Sequence, residues 1–320
     1  GGRKMEASRP LDALNNALFP SAKDTSAHSL VFTTINGVRK ETSLVAREID
    51  IDPVPVVTTV DTPSGPVGYL VFTTHIAKAQ AQLIDAFTQL QTANVKELVL
   101  DLRHNGGGLL GIASQVAYMI AGPTRTTGKV FEELVYNDKR DTENETTPFF
   151  DAACLAAKDG ECTQTVSLPT LGLNRVAVIT SRNTCSASEA IINSLRGIDV
   201  EVVTLGSTSC GKPYGFVPRE NCGIVYAAME FKGANAKGYG DYSDGFEAIC
   251  PVTDTVRMPL GDPTEDLLAA ALGRLSTGVC PAESNAQALS AGGNRSRDFY
   301  IFQSPISTNR IVLPKTTISD

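Results

Sequence analysis

Hydrophobic residues along positions 67–275 follow two alternating periods. Short apolar runs are typical of buried strands, and longer segments with apolar residues three or four apart are typical of helices. The predicted strands cover residues 67–72, 98–102, 176–180 and 200–205, and the predicted helices cover residues 76–90, 110–121 and 186–196. Because strands and helices alternate, the pattern predicts an α/β domain with a largely parallel sheet.

The amino-terminal part of the chain has a different pattern. Residues 11–19 carry apolar positions at helical spacing, and residues 29–47 form two strand-prone runs around Asn36-Gly37. Asn-Gly between such runs is a strong hairpin signal. We therefore expect a small β-rich module over residues 1–50, followed by a proline-punctuated linker over residues 51–66.

Two further segments interrupt or end the alternation. Residues 123–173 are polar, and we expect them to be a loop-like insertion near the site. Asp262 and the three residues after it carry helix-start signals, with Asp as the N-cap, Pro at the first position and Glu at the third. From residue 284 the pattern fades into a Ser/Asn-rich extension that ends with a predicted edge strand at 309–314. The predicted core domain therefore spans residues 67–283, and the extension spans residues 284–320.

The composition is that of a folded, acidic protein. Of the 320 residues, 42% are apolar and 20% are charged, which is enough to bury a full core. The net charge of −7, without a basic block, argues against nucleic acid or an anionic membrane as a partner. No apolar run approaches the length of about 20 residues that spans a bilayer. The first ten residues also lack the apolar segment of a signal peptide, although the chain could be a mature form or a fragment.

Cysteine and histidine usage bears on metal binding and on the compartment. The seven cysteines include no C-x-x-C pair, and with only three histidines a zinc site is not expected. Part of the cysteines are predicted to form disulfides, which favours an oxidising compartment. The odd number leaves at least one cysteine unpaired. Buried free thiols in a reducing compartment are the alternative.

The first segment with candidate chemistry is residues 184–189, Thr-Cys-Ser-Ala-Ser-Glu, which follows a predicted strand and opens a helix. A serine there lies beside the positive end of the helix dipole, and the N–H groups of the first turn can stabilise an oxyanion. The alternative is structural, because Ser186 and Glu189 have the spacing of a capping box.

The second segment is residues 206–215, Gly-Ser-Thr-Ser-Cys-Gly-Lys-Pro-Tyr-Gly, again just after a predicted strand. Desolvation there would lower the pKa of Lys212 from about 10.4 toward neutrality, so that the amine could act as a general base. A solvated loop lysine is the alternative.

The third segment is residues 101–108, Asp-Leu-Arg-His-Asn-Gly-Gly-Gly, at the end of another predicted strand. Its backbone N–H groups could bind a phosphate or an oxyanion. The segment lacks the G-K-[ST] ending of a P-loop, which disfavours nucleotide binding. The chain has no G-x-S-x-G elbow and no H-E-x-x-H motif, and the contexts of His28, His75 and His104 do not suggest a triad base.

Taken together and in order, these segments resemble the motifs of the C-terminal processing (tail-specific) serine peptidases. That family's pattern is D-L-R-x-N-x-G-G, then S-A-S-E, then G-K about 25 residues later. Here the corresponding residues are 101–108, 186–189 and 211–212, with an interval of 26 from Ser186 to Lys212. The resemblance covers residues 67–275, and three ordered motifs are far more specific than any one of them.

The resemblance implies a crotonase/ClpP-like ββα core and a Ser–Lys dyad. Ser186 would be the nucleophile and Lys212 the general base. The N–H of Ala187 with that of Gly107 or Gly108 would form the oxyanion hole. The further motif positions Glu189 and Ser209 would support the site, and no metal or cofactor is implied.

The same resemblance implies a function and a compartment. The chain would be a serine endopeptidase that cleaves protein or peptide substrates near their C-termini, in the periplasm or secreted from a bacterial cell. The family usually carries a PDZ module before the core, and residues 1–50 are similar to the last half of one. We expect the peptide-binding front half of that module to be missing from this sequence.

The chain departs from the family pattern beside the dyad. Phe216 stands where many members have a Gln that orients the lysine, and Gly197 stands where an Asp is common. Orientation of Lys212 would then fall to Thr208, Ser209 or Tyr214.

The dyad also bears on the cysteines. If Ser186 and Lys212 touch, Cys185 and Cys210 could be close enough to bridge. The other predicted pairs are Cys154–Cys162 and Cys222–Cys250, which leaves Cys280 free.

Two other functions stay open at this point. The first is a non-catalytic protein on the same fold that binds peptides or lipids, although such a protein has no need of a desolvated lysine. The second is a crotonase-type acyl-CoA enzyme, which would leave the Ser–Lys pair unexplained. The turn-rich residues 233–245 are predicted as a plain surface loop, with a place in the substrate cleft as the alternative.

Overall fold

The computed structural model describes residues 26–34, 37–45, 47, 49–158 and 161–280. The predicted helix at 11–19, Asn36 of the predicted turn, and the extension at 284–320 lie outside the described residues. The chain divides into two compact units, one that ends at Ile51 and one that begins at Asp52.

The described residues form the following strands and helices. The strands are β1 (Ala27–Thr33), β2 (Arg39–Val45), β3 (Val56–Thr62), β4 (Gly65–Val71), β5 (Glu97–Asp101), β6 (Val130–Tyr136), β7 (Glu145–Pro148), β8 (Ala152–Lys158), β9 (Glu161–Ser167), β10 (Arg175–Thr180), β11 (Glu201–Gly206), β12 (Tyr214–Gly215), β13 (Arg219–Asn221), β14 (Ile224–Tyr226), β15 (Phe231–Ala234) and β16 (Cys250–Pro251). The helices are α1 (Ala79–Thr92), α2 (Leu110–Ala121), α3 (Pro123–Thr126), α4 (Ala187–Gly197) and α5 (Asp266–Thr277). Among the described residues, no helix has both the length and the apolar character needed to cross a membrane.

In the first unit, β1 and β2 pair antiparallel, in register from Ala27 opposite Val45 to Thr33 opposite Arg39. The predicted pairing of two strands across residues 29–47 is therefore confirmed. Gly37 of the predicted Asn-Gly turn has φ +77°, a conformation that favours glycine.

The second unit is built on a six-stranded sheet in the order β16-β11-β10-β5-β4-β3. The pairs from β16 through β4 are parallel, and only β3 runs antiparallel to its neighbour β4. The expected α/β class with a largely parallel sheet is confirmed.

Successive residues of the central strands enter two different apolar clusters. On one face, Leu70, Leu98, Leu100, Val176 and Val178 pack with residues of α1, α2 and α4. On the other face, Tyr69, Val71, Val99, Ala177 and Ile179 pack with residues of α5. Because both faces are covered, these strands are continuous apolar runs rather than alternating ones, which is why the sequence locates them well.

Residues 51–66 were predicted to be a linker, and the structure corrects this. β3 lies within that segment and pairs along its whole length with β4, from Val56 opposite Val71 to Thr62 opposite Gly65. The prolines that suggested a linker lie outside β3, and Pro66 lies on β4 opposite Asp61.

The loop-like structure predicted for residues 123–173 is also wrong. This segment contains α3 and β6 to β9, and β6 and β7 join β15 and β12 in an antiparallel sheet of order β12-β15-β6-β7. Phe131 and Phe149 are buried and pack edge to face, with ring centroids 5.5 Å apart. A few buried aromatic residues anchor the segment although most of its residues are polar.

Two later boundaries also differ from expectation. Glu265, not Asp262, is the N-cap of α5, since its side chain accepts a hydrogen bond of 2.8 Å from Leu268 N. Asp262 instead accepts Thr264 N within a turn, at 2.8 Å. Residues 233–245 are not a plain surface loop, because they begin within β15 and bury Asn235 and Tyr242.

The structure contains three disulfides, Cys154–Cys162, Cys185–Cys210 and Cys250–Cys280. The first two were predicted. The predicted Cys222–Cys250 pair and a free Cys280 are wrong: Cys222 is exposed and free, whereas Cys250 on β16 reaches Cys280 just after α5. Three disulfides fit folding in an oxidising, extracytoplasmic compartment.

Candidate active site

The three motif segments meet at one edge of the parallel sheet. Each follows the carboxyl end of a strand: residues 102–109 follow β5, residues 181–186 follow β10, and residues 207–213 follow β11. β10 lies between β5 and β11, so its loop has the other two as neighbours. This edge is where α/β sheets form their sites.

Ser186 lies at the sharp turn between β10 and α4. Its backbone has φ +59°, which is strained for a residue other than glycine, and the side chain is fully buried. Its Oγ has no hydrogen-bond partner among the described residues. Buried hydroxyls are nearly always hydrogen-bonded, and strained backbone is concentrated at functional sites. Both features favour a hydroxyl with a chemical role.

The buried carboxylate of Glu189, one turn into α4, gathers the two other segments around Ser186. Its Oε2 accepts Ser186 N at 3.0 Å and Lys212 N at 2.8 Å. Its Oε1 accepts Gly211 N at 2.8 Å and Ser209 Oγ at 2.5 Å. Every partner is a donor, which is the set that an ionised carboxylate, with acceptors only, can satisfy. The bond from Ser186 N to the Glu189 carboxylate is part of the predicted capping box, and Glu189 does more than cap the helix.

The Cys185–Cys210 disulfide adds a covalent link between the same two loops. The Cα atoms of the two cysteines are 5.2 Å apart. Cys185 immediately precedes Ser186 in the chain, and Cys210 lies two residues before Lys212. Beside it, Cys210 N donates to Thr184 O at 3.0 Å. The link and the Glu189 carboxylate together set how far the two backbone segments can move apart.

These two cysteines and Glu189 also form a cluster with metal-ligand atoms within 4.8 Å of one another. Both sulfur atoms are joined in the disulfide and offer no thiolate, which is the form of cysteine that binds metals. All the donors around the Glu189 carboxylate face its two oxygens. The cluster therefore does not fit a metal ion in the oxidised protein.

Lys212 lies half-buried beside an aromatic ring. Its Nζ is 5.9 Å from the ring centroid of Phe216, which is almost fully buried. Phe216 therefore places an aromatic face beside the amine of Lys212. Ser209 is one of the residues that were expected to orient the lysine. Its hydroxyl group donates its only hydrogen to Glu189, and its Oγ accepts a hydrogen bond from Phe246 N at 2.7 Å.

Gly197, at the position where an Asp is common, lies against a different partner. A Cβ at this position would be 2.9 Å from Asn235 Cβ. Asn235 Nδ2 in turn donates to Asn193 O at 2.9 Å. The close approach of these residues leaves no room for a side chain, so no acid can stand at this position without a shift.

The glycine segment approaches Ser186 closely through Gly107. A Cβ on Gly107 would be 2.8 Å from Cys185 O and 2.9 Å from Ala187 N, and the residue has φ +97°. Its N–H is already used, because it donates to Asn105 Oδ1 at 3.0 Å. By contrast, the N–H groups of Gly108 and Ala187 donate to no acceptor among the described residues. Of the predicted oxyanion-hole donors, these two are available.

Arg103 anchors the start of this segment, a role that the sequence did not reveal. The buried guanidinium pairs with Asp101 at 2.7 Å and with Glu265, the N-cap of α5, at 2.8 Å. Burial lowers the pKa of Arg103, but its hydrogen bonds to Glu265 and then Asp101 outweigh this and hold that pKa above its ordinary value. Burial, and after it the Asp101 carboxylate, raises the pKa of Tyr69, whose hydroxyl donates to Asp101 at 2.7 Å. The arginine of the D-L-R motif was the sequence feature that could have indicated this anchoring role.

A serine at a strained strand-to-helix turn, next to a lysine loop and to free backbone N–H groups, is the arrangement of a serine hydrolase. Residues 66–218, which contain all three segments, match the profile of peptidase family S41. Over these residues the chain is similar to this family. No curated protein sequence gives a significant match to the chain.

Two solved structures are similar to the chain. A Bacteroides fragilis protein assigned as an S41 protease is 26% identical, with a TM-score of 0.64 over 79% of this chain and 66% of the other. The photosystem II D1 C-terminal processing protease is 19% identical, with a TM-score of 0.50 over 72% of this chain and 56% of the other, and this likeness concerns the fold alone. The chain spans less than two thirds of both proteins.

Proposed function

We propose that the protein is a serine endopeptidase that hydrolyses peptide bonds through an acyl-enzyme on Ser186, with Lys212 as general base. One observation carries the proposal. A single carboxylate oxygen of Glu189 accepts the backbone N–H of both residues, at 3.0 Å and 2.8 Å, which brings the two loops together around the buried Ser186 hydroxyl.

The reaction follows from these positions. The neutral amine of Lys212 takes the proton of Ser186 Oγ as this oxygen attacks the scissile carbonyl carbon. The resulting ammonium gives the proton to the leaving amine as the C–N bond breaks, which leaves an ester on Ser186. In the second half Lys212 takes a proton from water, the resulting hydroxide attacks the ester, and the proton returns to Ser186.

The oxyanion of each tetrahedral intermediate is assigned to the N–H groups of Ala187 and Gly108. Ala187 is the first residue of α4, where the helix dipole also favours negative charge. The N–H of Gly107, the other predicted donor, already donates to Asn105 Oδ1. Because Gly107 has no side chain, the glycine segment can lie close to Ser186. Glu189 and Ser209 position the two loops without touching substrate.

The substrate class and the domain organisation rest on the resemblance. We infer cleavage of proteins near their C-termini, in the periplasm or outside a bacterial cell, by a crotonase/ClpP-like core over residues 67–283. Residues 1–50 would be part of a PDZ-like module, and residues 284–320 an extension. The three disulfides support the extracytoplasmic compartment.

The test is hydrolysis of casein by the wild type, Ser186→Ala and Lys212→Ala between pH 6 and pH 10. Both variants should lose at least about 1,000-fold in rate. The wild-type rate should rise with pH through one group, since only the neutral amine of Lys212 accepts a proton. Activity that survives Ser186→Ala would overturn the assignment.

Matched controls separate chemistry from folding. Ser64 and Lys96 are exposed and lie outside the three motif segments, so Ser64→Ala and Lys96→Ala remove the same groups away from the buried site and should stay within twofold of the wild-type rate. Unchanged circular dichroism is required of every variant. An inactive wild type would favour the non-catalytic binding protein.

A further inference from the structure

We propose that His75 is a positioning residue for the oxyanion hole, held as the neutral tautomer with its proton on Nδ1 by Asn105. The inference rests on the proposed function for its kinetic part, whereas the tautomer can be tested without any activity. His75 follows β4 and is almost fully buried, yet the proposed mechanism gives it no task.

The orientation of the Asn105 amide follows from its backbone partners. Asn105 Nδ2 donates to Phe72 O at 2.9 Å, and a carbonyl oxygen can only accept. Asn105 Oδ1 accepts Gly107 N at 3.0 Å, and a backbone N–H can only donate. A flipped amide would place its nitrogen against the N–H of Gly107 and its oxygen against the carbonyl oxygen of Phe72. The positions of the amide oxygen and nitrogen are therefore assigned by their hydrogen-bond partners.

The tautomer of His75 follows in turn. Its Nδ1 is 2.9 Å from Asn105 Oδ1, and that oxygen has no hydrogen to give. Nδ1 must therefore carry the hydrogen and donate it. In the neutral ring Nε2 is then the nitrogen without a hydrogen.

His75 also contacts the glycine segment through its backbone. His75 N donates to Gly107 O at 3.1 Å, and Leu109 N donates to His75 O at 2.8 Å. Between them Gly108 has φ +136°, and a Cβ there would be 2.5 Å from His75 O. Gly108 thus lies directly on His75, and the direction of its N–H depends on where His75 is held.

Asn105 passes this position on to the nucleophile segment. Its main-chain oxygen accepts Cys185 N at 3.1 Å and Ser188 Oγ at 2.9 Å, on either side of Ser186 in the chain. The hydrogen bond from the His75 ring to Asn105 therefore links the end of β4, the Gly108 donor and the Ser186 turn. Loss of the Nδ1–H donor should displace Gly108 N–H from the oxyanion without changing the groups that bind the ground-state peptide.

The first arm of the test is ¹⁵N NMR of the wild type labelled at its three histidines, with the signals assigned by His28→Gln and His104→Gln. Shifts of a neutral ring with the proton on Nδ1 of His75 are expected. A proton on Nε2 would overturn the proposal.

The second arm is kinetic. His75→Leu should lower kcat about 10- to 100-fold with KM within twofold, and should weaken a peptide boronic acid inhibitor in parallel. His75→Asn keeps a donor at the place of Nδ1 and should restore kcat to within about threefold. His28→Leu, at a histidine on β1 outside the three motif segments, is the matched control and should behave as the wild type.

The outcomes distinguish the two proposals. Wild-type kcat in His75→Leu, or equal losses in His75→Leu and His75→Asn, would overturn the positioning role and leave the peptidase proposal standing. An inactive wild type would overturn the peptidase proposal, and the NMR arm would still decide the tautomer.

Discussion

The two halves of the site are each built around one buried polar side chain, and the two side chains differ. On the nucleophile–lysine side, the carboxylate of Glu189 accepts hydrogen bonds from four donors. On the glycine side, Asn105 accepts Gly107 N with its oxygen and donates to Phe72 O with its nitrogen. Neither residue is exposed to solvent.

The difference shows how the surrounding backbone selects the side chain. Where only N–H and O–H groups point inward, a carboxylate satisfies all of them, and an amide would place its own hydrogens against donors. Where a carbonyl also points inward, an amide satisfies both sides, and a carboxylate would face that carbonyl with a lone pair. Replacing the carboxylate of Glu189 by an amide, or the amide of Asn105 by a carboxylate, should therefore disrupt the hydrogen bonds in that half of the site.

The larger effect is expected from Glu189→Gln, because this change turns two of the four hydrogen bonds into donor–donor contacts. Hydrolysis should fall about 100-fold. The free energy of unfolding should fall by about 2–4 kcal/mol, since two buried donors lose their acceptor. Rates on casein and denaturant unfolding of the same preparation measure both quantities.

The control for this variant is Glu247→Gln, which makes the same change at an exposed residue and should alter neither quantity. A Glu189→Gln protein with the rate of the wild type would show that the carboxylate does not set the position of Ser186 and Lys212.

A smaller effect is expected from Asn105→Asp. The new carboxylate would face Phe72 O, so the free energy of unfolding should fall by about 1–3 kcal/mol at pH 7. Burial raises the pKa of such a carboxyl group above its unfolded value of about 3.9. The difference from the wild type is therefore largest at neutral pH and should shrink as the pH falls toward 5 and the new group binds a proton.

Denaturant unfolding of the wild type and of Asn105→Asp at pH 7, 6 and 5 measures how their difference in the free energy of unfolding changes with pH. The Glu189→Gln defect creates no new titrating group, and its size should not shrink in the same way. A constant Asn105→Asp defect would contradict the assignment of the amide oxygen and nitrogen.

The smallest effect on activity is expected from opening the Cys185–Cys210 disulfide. Replacing both cysteines by alanine should lower the free energy of unfolding by about 2–4 kcal/mol. Because Glu189 still joins the two loops, the rate should fall no more than about tenfold. Thermal unfolding and casein hydrolysis of the double variant test both numbers.

Cys154–Cys162 is the matched disulfide for comparison. It joins β8 to β9 and none of the three motif segments, so its double alanine variant should lose stability and keep the wild-type rate within twofold. Equal loss of rate in both double variants would show that disulfides act here through overall stability alone.

The comparison also explains what could be predicted from the sequence. The central strands and α2 were found because fully buried apolar runs are a local signal. Ser186 and Lys212 were selected as the candidate dyad because their motifs are local and ordered. The role of Glu189 as an acceptor for four donors was not found, because three of its partners come from a loop 20 or more residues further along the chain.

The wrong predictions have the same origin. β3 was missed because prolines near it suggested a linker, whereas its partner β4 stabilises it. The Cys250–Cys280 pair was missed because it depends on β16 lying beside β11 and on where α5 ends. Contacts between distant segments decide such features, and no local pattern reports them.

The central claim is that the buried hydroxyl of Ser186 is the nucleophile and that Lys212 activates it. The most direct measurement is rapid acid quenching of the protein with an activated peptide ester, followed by mass spectrometry of the digested product. The account predicts an acyl group on the peptide that contains Ser186, none in Ser186→Ala, and acylation slowed at least about 100-fold in Lys212→Ala. Turnover of the ester with the acyl group on another residue, or on none, would contradict it.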